Sequence, residues 1–519
     1  MYDMNIKLKL GLLGILVMAG ASFSCNKILE VDQPDNLVHS EFWKNRDQVS
    51  ASLTGLYTSI QNNVSSFHVW GDIRSSLYKP GSGDAFTANH RQFLSQDLYP
   101  DNTLLSWSSV YKSIGWINAF IKNAPLALNT DPTFKETELN SMLGEAYALR
   151  ALDYFYLVRA FKEVPLIKEP YESDNQQVNT AAAAEEEVLD FIESDLEVAL
   201  KQCPDAFDDA DKKYGRVTKN AVRALWADVK LWRNDYQGVL DLCASLDQQY
   251  ASRLVGPFEW YTIFNPGNSP ESILELQYKP TGPGSPLYGW FAYYSGPASA
   301  GTMYLANSVN VQLANEEVLY PTTLPEYTSS DTIRYKDFSA YRRSSNVSGS
   351  FGSGWEVYKF LGQQAYQQSY RPPNDRRLAN YILYRYREIL FMKAEAYAML
   401  NRYPEAEQML NLIREHCNVP LLSTGESGEG VEFFSRLLME REAELGFEGK
   451  EWFAAVRIAR RPGMADALLT KSATNNSMGY SYQVIRARLL NPESWFLPYN
   501  KTEIENNPAL VQKDYYKNR

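Results

Sequence analysis

The chain has 519 residues, 45% of them hydrophobic, and a net charge of −11. That length and apolar content allow one large or two ordinary domains with a substantial core. The acidic balance opposes nucleic-acid binding, which leans on basic contacts to phosphate, so no nucleic-acid partner is expected. The four cysteines (Cys25, Cys203, Cys243, Cys417) and four histidines (His39, His68, His90, His416) form no CxxC or HExxH spacing, so no metal site is expected. No GxxxxGK[ST] loop or strand-linked GxGxxG is present, and no cofactor is expected.

In chain order, residues 1–24 read as an export signal. Lys7 and Lys9 precede an apolar run from Leu10 to Gly20 that is too short to cross ~30 Å of hydrocarbon as a helix. Ala21, Ser22 and Ser24 are small and lead to Cys25, which reads as the lipidation site of a bacterial lipoprotein. Its acyl chains would hold the protein on a membrane without spanning it. Without residues 1–24 the net charge becomes −12. Residues 25–40 are a polar tether. Cys203, Cys243 and Cys417 are then an odd number, expected as buried free thiols.

A helical scaffold is expected over 41–250. Within 41–61, Val49, Leu53, Leu56, Tyr57 and Ile60 share one helical stripe. Residues 62–103 read as loop. Over 104–121, Trp107, Tyr111, Ile114, Ile117 and Ile121 repeat at three and four, which places Trp107 and Tyr111 in the core. Asp131–Pro132 reads as a cap and first turn of a helix through 161 that is apolar on most of its circumference. A connector (162–180) leads to its partner at 181–203, where Glu185, Glu186 and Glu187 suit the positive end of the helix dipole. The acidic stretch 204–213 reads as a solvated turn, since its spacing is not that of a calcium loop.

Residues 214–234 with 235–250, and 385–401 with 403–416, form helix pairs of tetratricopeptide length. Such units bury their faces only against neighbours and must stack. Between them, residues 251–380 are rich in Gly, Pro, Ser, Tyr and Trp without helical period, apart from a short expected strand at 272–278. A stretch this long inside a helical protein points to a functional insertion. The fold class expected is mainly α: a tetratricopeptide-like helical-repeat scaffold with a large irregular, loop-rich, ligand-binding insertion, closed by a helical repeat and C-terminal segment over 381–519.

Six blocks in order resemble the RagB/SusD family of outer-membrane nutrient-binding lipoproteins: EFWKNRDQVSASLTGLY, GEAYALRALDYFYLVRAFKEVPLI, YGRVTKNAVRALWADVKLW, YREILFMKAEAYAML, LLMEREAELGFEGKEWFAAVR and FLPYNKTEIENNPALVQKDYY. Lys162 stands where the family commonly has glycine, Glu451 where it has arginine and Ala454 where it has aspartate; Asn500 and Lys513 also depart from the pattern. The resemblance implies a lid-like partner of a SusC-like TonB-dependent transporter, lipid-anchored on the exterior face of the outer membrane. It also implies an oligosaccharide ligand, or peptides and other nutrients in some members.

Sugars present C–H faces and hydroxyl edges, so a site for them wants flat aromatics beside amide, carboxylate or guanidinium groups. Two segments supply both. Residues 62–91 hold Trp70, Asp72, Arg74, Tyr78 and Arg91; residues 281–304 hold Tyr288, Trp290, Phe291, Tyr293 and Tyr294. These segments are expected to meet, with Trp70 and Trp290 as stacking platforms. A glycoside hydrolase would need two carboxylates ~5–9.5 Å apart around the sugar, and no motif singles out such a pair, so no catalytic residues are assigned and the chain is read as a non-enzyme. A peptide-docking scaffold is the remaining rival; the anchor and the aromatic insertion favour a nutrient role.

Overall fold

The computed structural model describes residues 42–75, 77–80, 87–171, 179–280, 284–286, 303–305, 339–342, 354–357, 359–361, 378–417, 419–474 and 478–519. The signal, Cys25 and the tether lie outside them. No described helix is long and apolar enough to cross a membrane.

The first helix, α1 (Arg46–Gly71), buries Val49, Leu53, Leu56, Tyr57 and Ile60 on the expected stripe. It does not stop at 61. Val64, Phe67, Val69 and Trp70 continue the buried face, and their packing overrides the weak helix propensity of Asn62, Asn63, Ser65 and Ser66. The loop expected over 62–103 is therefore corrected: it holds the end of α1, a short strand β1 (Tyr78–Pro80) and the helix α2 (Ala88–Leu94). Helix α3 (Ser108–Asn123) follows a 3-10 turn at Thr103–Leu105.

Helix α4 (Glu136–Phe161) starts later than the Asp131–Pro132 signal. The Asp131 carboxylate instead accepts the backbone N–H groups of Arg46 (3.0 Å) and Thr133 (2.9 Å), so it serves the start of α1. Helix α4 buries residues around its circumference because α1 and α3 pack on it along with α5 (Glu185–Gln202). The strands β2 (Val164–Pro165) and β3 (Ala182–Ala183) pair across the connector.

Helices α6 (Lys219–Trp232) and α7 (Tyr236–Tyr250) form a hairpin. So do α8 (Tyr386–Met399) and α9 (Tyr403–Glu415). Both turn in the same way. Asn234 (φ 62°) and Asn401 (φ 58°) take positive φ, and the next residue bonds five back, Asp235 to Lys230 and Arg402 to Tyr397, at 2.9 and 2.8 Å. This is a Schellman closure with asparagine in glycine's usual place. Helix α8 packs on α7 and α6, and α5 on α6, so the hairpins stack as repeat units must. Cys203, Cys243 and Cys417 are buried and form no disulfide among the described residues.

Between these hairpins the chain departs from β4 (Ser272–Leu276) and returns through β8 (Tyr381–Arg385), which pair antiparallel. The excursion also contributes β5 (Met303–Leu305), β6 (Ser339–Arg342) and β7 (Gly354–Val357), which join β1 in a sheet of order β1-β5-β7-β6. The chain ends with α10 (Val431–Leu445), α11 (Glu451–Ala459), α12 (Ala465–Thr474), α13 (Tyr482–Leu489) and α14 (Lys501–Asn506).

Many charged residues of the six sequence blocks are interior. Arg457 grips Glu395 through two bonds (2.9 and 2.8 Å) and reaches Asp228 at 3.1 Å. Asp228 also accepts from Arg159 (3.0 Å) and the Tyr384 hydroxyl (3.1 Å), so one carboxylate ties α4, α6, β8 and α11. Arg385 and Arg387 share the carboxylates of Glu271 and Glu444 at 2.9–3.2 Å, all fully buried. Removing one partner from such a buried network leaves an uncompensated charge, a loss of about 3–5 kcal/mol. These motifs specify how the helices meet, and Glu451, despite its departure from the family pattern, joins them by pairing with Arg441 at 3.0 Å.

Candidate functional site

Strand β1 pairs with β5 in the register Tyr78–Leu305, Lys79–Tyr304 and Pro80–Met303. The 62–91 segment and the end of the 281–304 segment are therefore neighbouring strands. Tyr288, Trp290, Phe291, Tyr293 and Tyr294 lie outside the described residues. Strand β7 extends the sheet, with Trp355 in register with Leu305 on one side and Tyr341 on the other.

Beneath β1 lies a closed polar cluster. The Tyr78 hydroxyl meets the Asp72 carboxylate and lies 2.8 Å from Nε2 of His68. When Asp72 is ionised, Tyr78 gives its one proton to the carboxylate, and Nε2 of His68 is the donor to the phenol oxygen. The other Asp72 oxygen accepts the backbone N–H of Glu451 at 3.1 Å, which caps α11 from a distant part of the chain. Burial pushes the Asp72 carboxyl up to about 7 and His68 down to about 3, since a water-free interior disfavours either charge. Gly449 closes the cluster at φ 90°, where a Cβ would strike the Tyr381 hydroxyl.

The residues expected to face a ligand from 62–91 divide sharply. Trp70 is 0% exposed; its indole N–H donates to the Leu104 carbonyl at 2.9 Å and its ring meets Phe161 edge-on. It is a core residue and offers no stacking face. Arg74 is also enclosed. Its guanidinium donates to Gln96 (2.7 Å) and to the carbonyls of Ser494 (2.7 Å) and Trp495 (3.0 Å) over the Trp452 ring, and burial lowers it to about 10. Asp72 and Tyr78 are buried in the cluster above. Their expected ligand contacts are corrected to a supporting role under β1. Arg91 alone of the five is exposed, on α2.

Sequence reasoning missed this division because aromatic and charged residues in a polar segment look alike whether they are enclosed or open. The continuing apolar period Val64, Phe67, Trp70 was the available signal. Among the described residues, no group of three or more His, Cys, Asp or Glu side chains is arranged to hold a metal ion.

Two family models match the chain, one described as "SusD family" over residues 290–516 and one as "Starch-binding associating with outer membrane" over 28–231. A SusD-like protein (P38) of Formosa agariphila is 25% identical over 476 residues, covering 85% of this chain and 90% of the relative. Among solved structures, surface glycan-binding protein A from Bacteroides uniformis superposes with a TM-score of 0.70 at 19% identity, over 90% of this chain and 99% of that one. A laminarin-binding SusD-like protein gives 0.67 at 20% identity, over 91% and 99%. These likenesses establish the helical-repeat fold.

Proposed function

The chain belongs to the SusD/RagB family, and from that premise we propose that it is a glycan-capturing lipoprotein of the outer membrane, anchored through Cys25. It takes oligosaccharide at the surface and hands it to a SusC-like TonB-dependent transporter, over which it closes as a hinged lid. The carrying observation is the β1–β5 pairing, which joins a buried, hydrogen-bonded cluster to the end of the aromatic-rich segment. Such a foundation positions a loop site without itself being touched by ligand. The relatives that bind laminarin and surface glycans support a carbohydrate ligand. No catalysis is assigned, because capture and release need only stacking and hydrogen bonds.

Tyr288, Trp290, Tyr293 and Tyr294 supply the stacking faces in this reading, with Arg91 at the rim. Replacing Trp290 and, separately, Tyr293 by alanine tests it by calorimetry against a panel of oligosaccharides. The expected loss is about tenfold in affinity, or ~1.4 kcal/mol, for at least one of the two. Unchanged affinity in both rejects the placement. Detergent-solubilised outer membranes should yield a large β-barrel that co-purifies with the chain; its absence rejects the transporter partnership.

A further inference from the structure

An aromatic cleft opens where α3, the β2 connector and α14 meet. It has a volume of about 240 Å³, and its walls include Trp107, Tyr111, Tyr171, Glu503, Asn506 and Asn507. The Tyr111 hydroxyl is engaged, donating to the Pro165 carbonyl at 2.6 Å. Asn507 uses its amide N–H on the Thr180 carbonyl at 2.7 Å, which fixes the wall on that side.

Several other polar groups of the cleft have no partner among the described residues. Trp107 is only 4% exposed, packed edge-on to Tyr111 and Phe161, yet its indole N–H donates to no acceptor among the described residues. The ring is enclosed but its N–H edge is open to the cleft, where an acceptor brought from outside can reach it. Tyr171 is 49% exposed, and neither its hydroxyl nor the Asn506 amide has a partner among the described residues. Glu503 uses Oε1 on the Ser106 hydroxyl at 2.8 Å, which holds the carboxylate at the cleft wall.

We infer that this cleft is a second carbohydrate-contact site, taking a neutral sugar ring of an oligosaccharide; this rests on the reading of the chain as a glycan binder. Tyr171 offers a flat face for the ring's C–H groups, Trp107 and Asn506 donate to its hydroxyls, and Glu503 accepts from them. Among the described residues no lysine or arginine lines the cleft, so an acidic sugar would face Glu503 without a counter-charge from them.

The test uses the intact chain in detergent, carrying 5-fluorotryptophan, with the Trp107 fluorine signal assigned by its loss in Trp107→Phe. Maltohexaose, laminarihexaose, cellohexaose and xylohexaose are titrated to millimolar concentration, with a galacturonic-acid oligomer as the acidic comparison. The Trp107 signal should move with at least one neutral glycan. The apparent affinity at this signal should fall at least tenfold in Tyr171→Ala and in Asn506→Ala, both surface changes, and persist in Trp290→Ala. If calorimetry and other tryptophans report binding while the Trp107 signal stays still, the second site fails and the glycan reading stands. If no glycan produces heat or any shift, both fail. Movement only with the acidic oligomer, or movement that survives both surface variants, also overturns the cleft.

Discussion

Phe161 separates two clusters of similar make-up and opposite character. Trp70 and Trp107 both meet its ring edge-on, at 5.1 and 4.8 Å between centroids. Around Trp70 the polar groups of Asp72, Arg74 and Tyr78 are engaged with protein partners. Around Trp107 the indole, a tyrosine hydroxyl and an amide have no partner among the described residues. Aromatic rings beside carboxylates and amides therefore do not by themselves mark a binding site. What separates foundation from site is whether hydrogen-bonding capacity remains for something else.

The largest effect expected from breaking this contrast is at Trp70. Truncation to alanine leaves a cavity among Phe161, Leu104 and their neighbours and should cost about 3–5 kcal/mol in urea unfolding. Trp107→Phe, which keeps a ring in place and removes an N–H with no partner among the described residues, should cost well under that. Equal losses at the two positions would show that Trp107 is as fully committed to the core as Trp70.

How much of this was legible in the residues follows the same divide. The hairpins α6–α7 and α8–α9 were readable because local signals agree: apolar spacing, Pro404 in the first turn of α9 and three-residue links. The six family blocks were readable as a set, although their physical content, buried Arg–carboxylate networks, emerges only when distant blocks meet. Asp228 joining Arg159 to Arg457 is a contact between residues far apart in sequence. The end of α1 was misread since its asparagines and serines weigh on local propensity, while tertiary burial decides. The unengaged state of Trp107 had no sequence signal, because it depends on α14 arriving from the far end of the chain.

A pH series sharpens the contrast next. Asp153 on α4 is 0% exposed beside Asn63 and Ser113, and burial raises its carboxyl to about 8; Asp72 is raised to about 7. A carboxyl whose folded value lies above its unfolded value near 3.9 keeps its proton in the folded state. Its stabilising contribution is full below ~4 and is lost as pH rises through the folded value. Stability from these two groups should therefore decline from pH ~4 towards about 8, and Asp153→Asn, which cannot ionise, should flatten that decline. The melting temperature measured across this range is the check; an unchanged slope would assign the pH dependence elsewhere. Glycan binding at the Trp107 cleft, whose walls hold neither residue, should not follow this profile.

The smallest expected effect is at Lys162, which ends α4 and directs the chain into β2 and so to the wall of the cleft. Its backbone has φ 68° and ψ −60°, and the Glu163 N–H bonds the Phe161 carbonyl at 2.9 Å. That is a γ-turn of the rare, strained hand, at a position where the family resemblance leads one to expect glycine. Glycine adopts positive φ without a Cβ penalty but loses more freedom on folding. Relief of strain should outweigh that entropy, so Lys162→Gly is expected to stabilise by about 1 kcal/mol, seen as a higher urea midpoint at constant slope. The Tyr111–Pro165 bond holds the cleft wall independently of the turn, so the Trp107 fluorine response to glycan should be retained. If Lys162→Gly stabilises the fold but weakens that response, the strain is part of what shapes the cleft.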